Sequence, residues 1–214
     1  KGWDTFFGVP DSLLKDLCAF ITEHAPKDQH IITANEGNAV ALATGHYLAT
    51  GHPAVVYLQN SGLGNTINPL LSLADPAVYQ IPMVLMIGWR GEPGVSDEPQ
   101  HITQGRLSEP LLEALEIPYI ILDDDYERSL TKLHMLLEER HAPVALLIRK
   151  NMFTPHSLPK VTSAYPLSRE AFLKSFVEAI EQDALVVSTT GKTSRELFEI
   201  RETLNHGHAQ DFLT

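Results

Sequence analysis

The chain reads as an α/β protein: a doubly wound, mainly parallel six-stranded sheet, followed by the start of a second α/β domain. Three observations predict this. Short apolar runs alternate with stretches of helical period from Thr5 onward. The runs are apolar almost throughout, as strands covered on both faces must be. After Arg149 the pattern breaks into a stretch holding three prolines and several hydroxyl residues, and then resumes.

The runs place strands at 5–9, 30–34, 54–58, 83–87, 119–122 and 144–148. Helices are expected between them at 12–24, 36–50, 62–73, 104–116 and 126–139, with Asp11 and Asp125 as N-caps. Residues 1–150 would form this first domain, 151–167 an extended connection, and 168–214 the opening of the second domain. There Ser168 caps a helix running to Gln182, residues 185–188 form a strand, and residues 193–204 form another helix.

Composition narrows what this fold could do. With 43% hydrophobic residues over 214 and no low-complexity tract, the chain should pack as a globule. Its single cysteine, Cys18, excludes an internal disulfide or a cysteine-based zinc site, and its apolar helical setting reads as a buried thiol. No apolar run approaches the roughly 20 residues that span a bilayer, so a soluble, cytoplasmic protein is expected. A formal net charge of -11 disfavours nucleic acid and anionic membrane as partners. The same charge repels small anions, so any anion site must be built locally from placed cations and amides. Because the chain opens on Lys1 and closes as an apolar segment begins at Phe212, it reads as part of a longer protein.

In an open α/β sheet, ligands sit at the carboxyl ends of the strands. Four turns there carry unusual residues: Gly8 to Ser12, Asn35 to Asn38, Gln59 to Asn65, and Gly88 to Gly91. Glu36 ends a buried strand and opens a helix whose next residues (Asn38, Ala39, Ala41, Ala43 and Gly45) are small enough to let another surface approach. A first-turn acid offsetting the helix dipole, worth about 0.3 to 1 kcal/mol, would look the same. Asp11 likewise fits either an N-cap or a functional acid. The run Ser188 to Ser194 imitates the end of a nucleotide-binding loop, but Val186 stands where that loop needs glycine, which excludes an ATPase.

The segments FFGVPDSLL, NEGNAVALATGHYLATG, QNSGLGNTINPL and WRGEPGVSDEPQH, in this order, resemble the thiamine-diphosphate-dependent 2-oxoacid decarboxylases that act on phosphonopyruvate or sulfopyruvate. The resemblance implies that Glu36 hydrogen-bonds the cofactor's pyrimidine and promotes the tautomer that activates its thiazolium carbon. It implies that Asp11 assists proton transfer to the product, and that Asn60, Ser61 and Gly62 form the turn meeting the pyrimidine. His101, with Gln100, would lie in a loop facing the cofactor's reactive end. Arg90 and Arg106, on either side of that loop, would contact a phosphonate or sulfonate. Thr190, Gly191 and Lys192 would reach the diphosphate. The Gly-Asp-Gly run and distant Asn that hold Mg2+ in the family do not occur here, so the metal ligands are expected outside this chain. The expected reaction is non-oxidative decarboxylation of phosphonopyruvate to phosphonoacetaldehyde and carbon dioxide, in a homo-oligomer whose active site lies between subunits. Sulfopyruvate is the alternative substrate, and a non-catalytic α/β interaction domain is the alternative of another class.

Overall fold

The computed structural model describes residues 2–159, 164–189 and 191–213. The chain divides into two units, Lys1–Leu158 and Pro159–Thr214. In the first, β1 (Phe6–Gly8), β2 (His30–Ile32), β3 (Ala54–Gln59), β4 (Met83–Gly88), β5 (Tyr119–Ile121) and β6 (Val144–Ile148) form one sheet. Every pairing is parallel, in the order β2-β1-β3-β4-β6-β5. The helices are α1 (Lys15–His24), α2 (Glu36–Thr50), α3 (Leu63–Pro69), α4 (Pro99–Ala114) and α5 (Tyr126–Arg140).

The apolar runs become strands because both faces of the sheet are covered. Val56, Leu58, Leu85, Ile87 and Leu147 join Ala39 and Val40 of α2, Leu63 of α3 and Leu112 of α4 in one core. The alternate residues Val55, Tyr57, Val84 and Leu146 face a second core with Leu14, Cys18 of α1, and Leu133 and Leu137 of α5. Burial pushes the Cys18 thiol up to about 11, which suits the inert reading.

Strand order explains which helix lies where. A parallel crossover turns right-handed, so steps in one direction along the sheet put their helices on one face. The steps β2 to β3, β3 to β4 and β4 to β5 run one way and carry α2, α3 and α4. The steps β1 to β2 and β5 to β6 run back and carry α1 and α5 on the other face. The chain therefore leaves neighbouring carboxyl ends toward opposite faces at two places, between β1 and β3 and between β4 and β6. Such reversals open crevices.

Several local expectations are corrected. The first helix begins at Lys15, not at 12, and Asp11 caps no helix; its carboxylate accepts from Leu13 N at 3.1 Å in the preceding turn. The helix expected at 62–73 divides into a 3-10 turn (Asn60–Gly62), α3 and a π turn (Leu70–Ala74). Pro69 has no N–H to give the carbonyl four residues back, so the regular ladder cannot continue through it. The fourth helix opens at Pro99, a residue suited to the first turn, so Gln100 and His101 are helical and not in a loop. Asn35 caps α2 by accepting from Asn38 N at 2.9 Å, and Asp125 caps α5 through Arg128 N at 3.1 Å. After β6, Met152 and Phe153 pack on the α1/α5 core, and His156 N donates to Asp16 at 3.0 Å.

In the second unit, α6 (Arg169–Ala179) is capped by Ser168 and ends before 182. It packs on α7 (Lys192–Thr203) through Leu173, Val177, Leu197 and Ile200. The strands β7 (Val186–Ser188) and β8 (Asp211–Leu213) pair in parallel, and buried Arg201 of α7 pairs with Asp211 at 2.9 Å. Among the described residues no helix is long and apolar enough to cross a membrane.

Leu58 is fully buried in the central strand β3. Replacing it with alanine leaves a cavity that its neighbours cannot close, so Leu58→Ala is expected to cost about 2 to 5 kcal/mol. A urea unfolding midpoint equal to that of the parent would refute this.

Candidate functional site

The β1/β3 reversal sets Asp11 against the end of β3. Asp11 is only 5% exposed, and its Oδ1 accepts from Gln59 Nε2 at 2.5 Å. Ser61 Oγ in turn donates to Gln59 Oε1 at 2.6 Å. Gly88, the last residue of β4, has no Cβ to collide with Asp11 Oδ2, so three strand ends converge on one carboxylate. The sequence reading placed Gln59 in an unusual turn but did not give it a role beside Asp11. The available signal was its place, a polar residue closing the apolar run of β3.

Glu36 stands one strand away, as the first residue of α2 after β2. It is half-buried, and its Oε2 accepts from Asn65 Nδ2 of α3 at 2.7 Å. Its Oε1 accepts no hydrogen bond among the described residues. Gly62 lies against this carboxylate so closely that a Cβ there would overlap it. Glycine is therefore a spatial requirement of the Glu36 setting.

Asn60 is 5% exposed and acts as a latch. Its Nδ2 donates to Arg90 O at 2.8 Å and to Ser108 Oγ of α4 at 2.9 Å, while its Oδ1 accepts from Arg90 N at 3.1 Å. Both amide hydrogens are thus taken inside the protein.

Arg90 follows β4 and forks onto Asp97: Nε donates to Oδ2 at 2.8 Å and Nη2 to Oδ1. Nη1 donates to Ser12 Oγ at 2.9 Å. Asp97 also accepts from Gly91 N and Glu98 N, each at 2.8 Å. The Arg90 fork, joined by these amides, holds the Asp97 carboxyl well below the usual carboxylate range, and the carboxylate raises the Arg90 guanidinium. The arginine expected to clamp a ligand is largely occupied by its neighbour.

His101 sits half-buried in the first turn of α4, with Gln104 Oε1 3.5 Å from its Nδ1, a weak contact. Trp89 Nε1 donates to Gly105 O at 2.9 Å and docks this helix on the β4 end. Gln100 and Arg106 are exposed on α4. In the second unit Gly191, at φ 96°, precedes Lys192, the first residue of α7; Thr190 lies outside the described residues. The first unit thus brings Asp11, Glu36, Asn60 to Gly62 and Arg90 to one edge of its sheet.

Residues 1–111 match the family described as thiamine pyrophosphate enzyme, N-terminal TPP binding domain. The chain is 33% identical to phosphonopyruvate decarboxylase from Streptomyces viridochromogenes, over 96% of its own length and 55% of that protein's. It is 34% identical to sulfopyruvate decarboxylase subunit alpha from Methanococcus maripaludis, over 69% of its own length and 87% of that subunit's. The chain spans about half the length of the phosphonopyruvate decarboxylases it matches. A thiamine diphosphate-dependent 4-hydroxybenzoylformate decarboxylase from Rhodococcus jostii RHA1 shares the fold, at a TM-score of 0.52 and 20% identity, over 91% of this chain and 38% of that one.

The depressed Asp97 carboxyl has a pH consequence. Its contribution to stability is complete above the ordinary carboxylate pKa, about 3.9, and is lost as pH falls through the lowered folded value. Asp97→Asn is therefore expected to lose about 1 to 2 kcal/mol at pH 7, with the gap to the parent narrowing as pH falls from about 5 toward 2. Urea titrations at several pH values measure the gap; one that widens on acidification would contradict the pairing.

Proposed function

Because the chain belongs to the thiamine pyrophosphate enzyme family through its N-terminal TPP binding domain, we propose that it is the pyrimidine-binding part of a decarboxylase acting on phosphonopyruvate. The observation that carries this is the half-engaged carboxylate of Glu36. One oxygen is anchored by Asn65, the other has no hydrogen-bond partner among the described residues, and only a glycine at position 62 lets the carboxylate stand where it does. A ring nitrogen would find its hydrogen-bonding partner in that unengaged oxygen.

Thiamine diphosphate, when bound, supplies the carbon nucleophile and holds the electrons released with carbon dioxide. Glu36 would hold the pyrimidine nitrogen through Oε1 and share a proton with it. Asp11, oriented by hydrogen bonds from Gln59 Nε2 and Leu13 N, would stand at the reacting end and steer proton delivery to the product. His101 would flank that end from α4, where exposed Gln100 and Arg106 could meet substrate, and the Asn60 to Gly62 backbone would line the ring. Thr190, Gly191 and Lys192 would contact the diphosphate. Mg2+ would be held by ligands that this chain does not supply.

The remaining readings follow the same line. Residues 1–150 would be the pyrimidine domain, 151–167 the connection and 168–214 the start of the diphosphate domain. The working protein would be a cytoplasmic homo-oligomer. Sulfopyruvate is the second substrate reading, favoured by the match over 87% of the Methanococcus maripaludis subunit.

Full-length protein carrying this chain is expected to release carbon dioxide from phosphonopyruvate with thiamine diphosphate and Mg2+. Glu36→Gln should lower kcat by about 10²- to 10⁴-fold with the fold retained by circular dichroism. Undiminished turnover in that variant would sink the assignment. Comparing kcat/KM for phosphonopyruvate and sulfopyruvate decides between the substrates.

A further inference from the structure

Three cations line a cavity of about 520 Å³ beside the Asp11 turn: Lys15, Arg90 and Lys150. We infer that Lys15 and Lys150 hold the anionic end of the substrate across this cavity, with Arg90 as its fixed wall. This rests on the decarboxylase reading above and adds the residues that would select a phosphonate or sulfonate.

Topology is the first support. Ser12 and Lys15 lie past the end of β1, Arg90 past the end of β4, and Lys150 past the end of β6, so both strand-order reversals border the cavity. Its position follows from the two places where neighbouring chain segments part toward opposite faces. Asp11 directly precedes Ser12, so the cavity begins next to the acid assigned to the reacting end.

The charge pattern is the second. The lining holds three cations against two carboxylates, a local positive excess in a chain of net charge -11. Arg90 and Asp97 neutralise each other. Of the five guanidinium N–H donors, three already serve Asp97 and Ser12, which leaves two. Asp16 accepts from His156 N at 3.0 Å. Lys15 and Lys150 are exposed and have no carboxylate partner among the described residues. They are the cations with charge to offer. Arg106 is exposed on α4 and does not line the cavity.

Ligand chemistry is the third. A phosphonate or sulfonate presents three acceptor oxygens around one centre, and ammonium groups approach such a centre as point charges from any side. Leu13, Met152 and Phe153 supply an apolar wall that weakens solvent screening of the two lysines.

The test uses the full-length protein and phosphonoacetate, which carries the distal anion but no 2-oxo group. Lys15→Ala and Lys150→Ala should each weaken phosphonoacetate binding in calorimetry by about tenfold or more, and the double variant by about 100-fold or more. Thiamine diphosphate affinity should stay within about threefold of the parent, and Lys→Arg at either site should restore part of the phosphonoacetate binding. In turnover, KM for phosphonopyruvate should rise at least about tenfold in each alanine variant while kcat changes by less than about threefold. A double variant that binds phosphonoacetate like the parent overturns the inference, whether or not the enzyme turns over. Parent protein that binds phosphonoacetate through these lysines but fails to decarboxylate phosphonopyruvate refutes the decarboxylase reading while keeping the anion site.

Discussion

The right-handed turn of every parallel crossover is the constraint from which the site follows. With strands ordered β2-β1-β3-β4-β6-β5, the chain must reverse direction along the sheet twice. At each reversal, segments leaving adjacent strands part toward opposite faces and no helix covers the gap. Asp11 and Gln59 meet at 2.5 Å across the first gap. Arg90 and Lys150 stand on the two sides of the second. A sheet with strands in simple sequence order would bring neither pair together, however similar its turns.

The two carboxylates at this edge have different freedom, and the difference assigns their work. Asp11 is buried and accepts hydrogen bonds at both oxygens, which fixes its orientation. Glu36 is half-buried and engaged at one oxygen only. The helix-dipole reading of Glu36 weakens because Asn35 already caps α2 through Asn38 N. Relieved of capping, Glu36 is instead oriented by the side chain of another helix. Orientation by Asn65 is what a hydrogen-bonding partner to a ring requires, whereas offsetting a helix dipole requires none.

The strands and most helices were legible because burial on both faces writes an unbroken apolar run, and because Asp125 and Ser168 mark helix starts. Strand order was not, since runs apolar throughout carry no mark of edge or centre; β2 and β5 read like the others yet sit at the edges, partly exposed. Pro69 and Pro99 were visible, but whether a proline breaks a helix or opens one depends on the hydrogen bonds around it. Glu36, Asp11 and the glycines were legible as unusual residues after strands. Their partners were not, because Asn65 is 29 positions from Glu36 and Gln59 is 48 from Asp11. Arg90 shows the opposite failure. Its partner is only seven residues away, hidden in a loop rich in other acids, so it read as a free cation.

That correction reshapes the electrostatics of the edge. An arginine forked onto an aspartate contributes shape and a directed polar wall, but little net charge. In a chain this acidic, attraction for an anion must come from cations left unpaired beside a surface that excludes some water. Lys15 and Lys150 meet both conditions because α1 begins, and the chain after β6 departs, on the same face of the sheet. The handedness that opened the crevice thus also places the charge beside it, and the paired Arg90, donating to Ser12 Oγ, ties the β4 end to the turn that leads into α1.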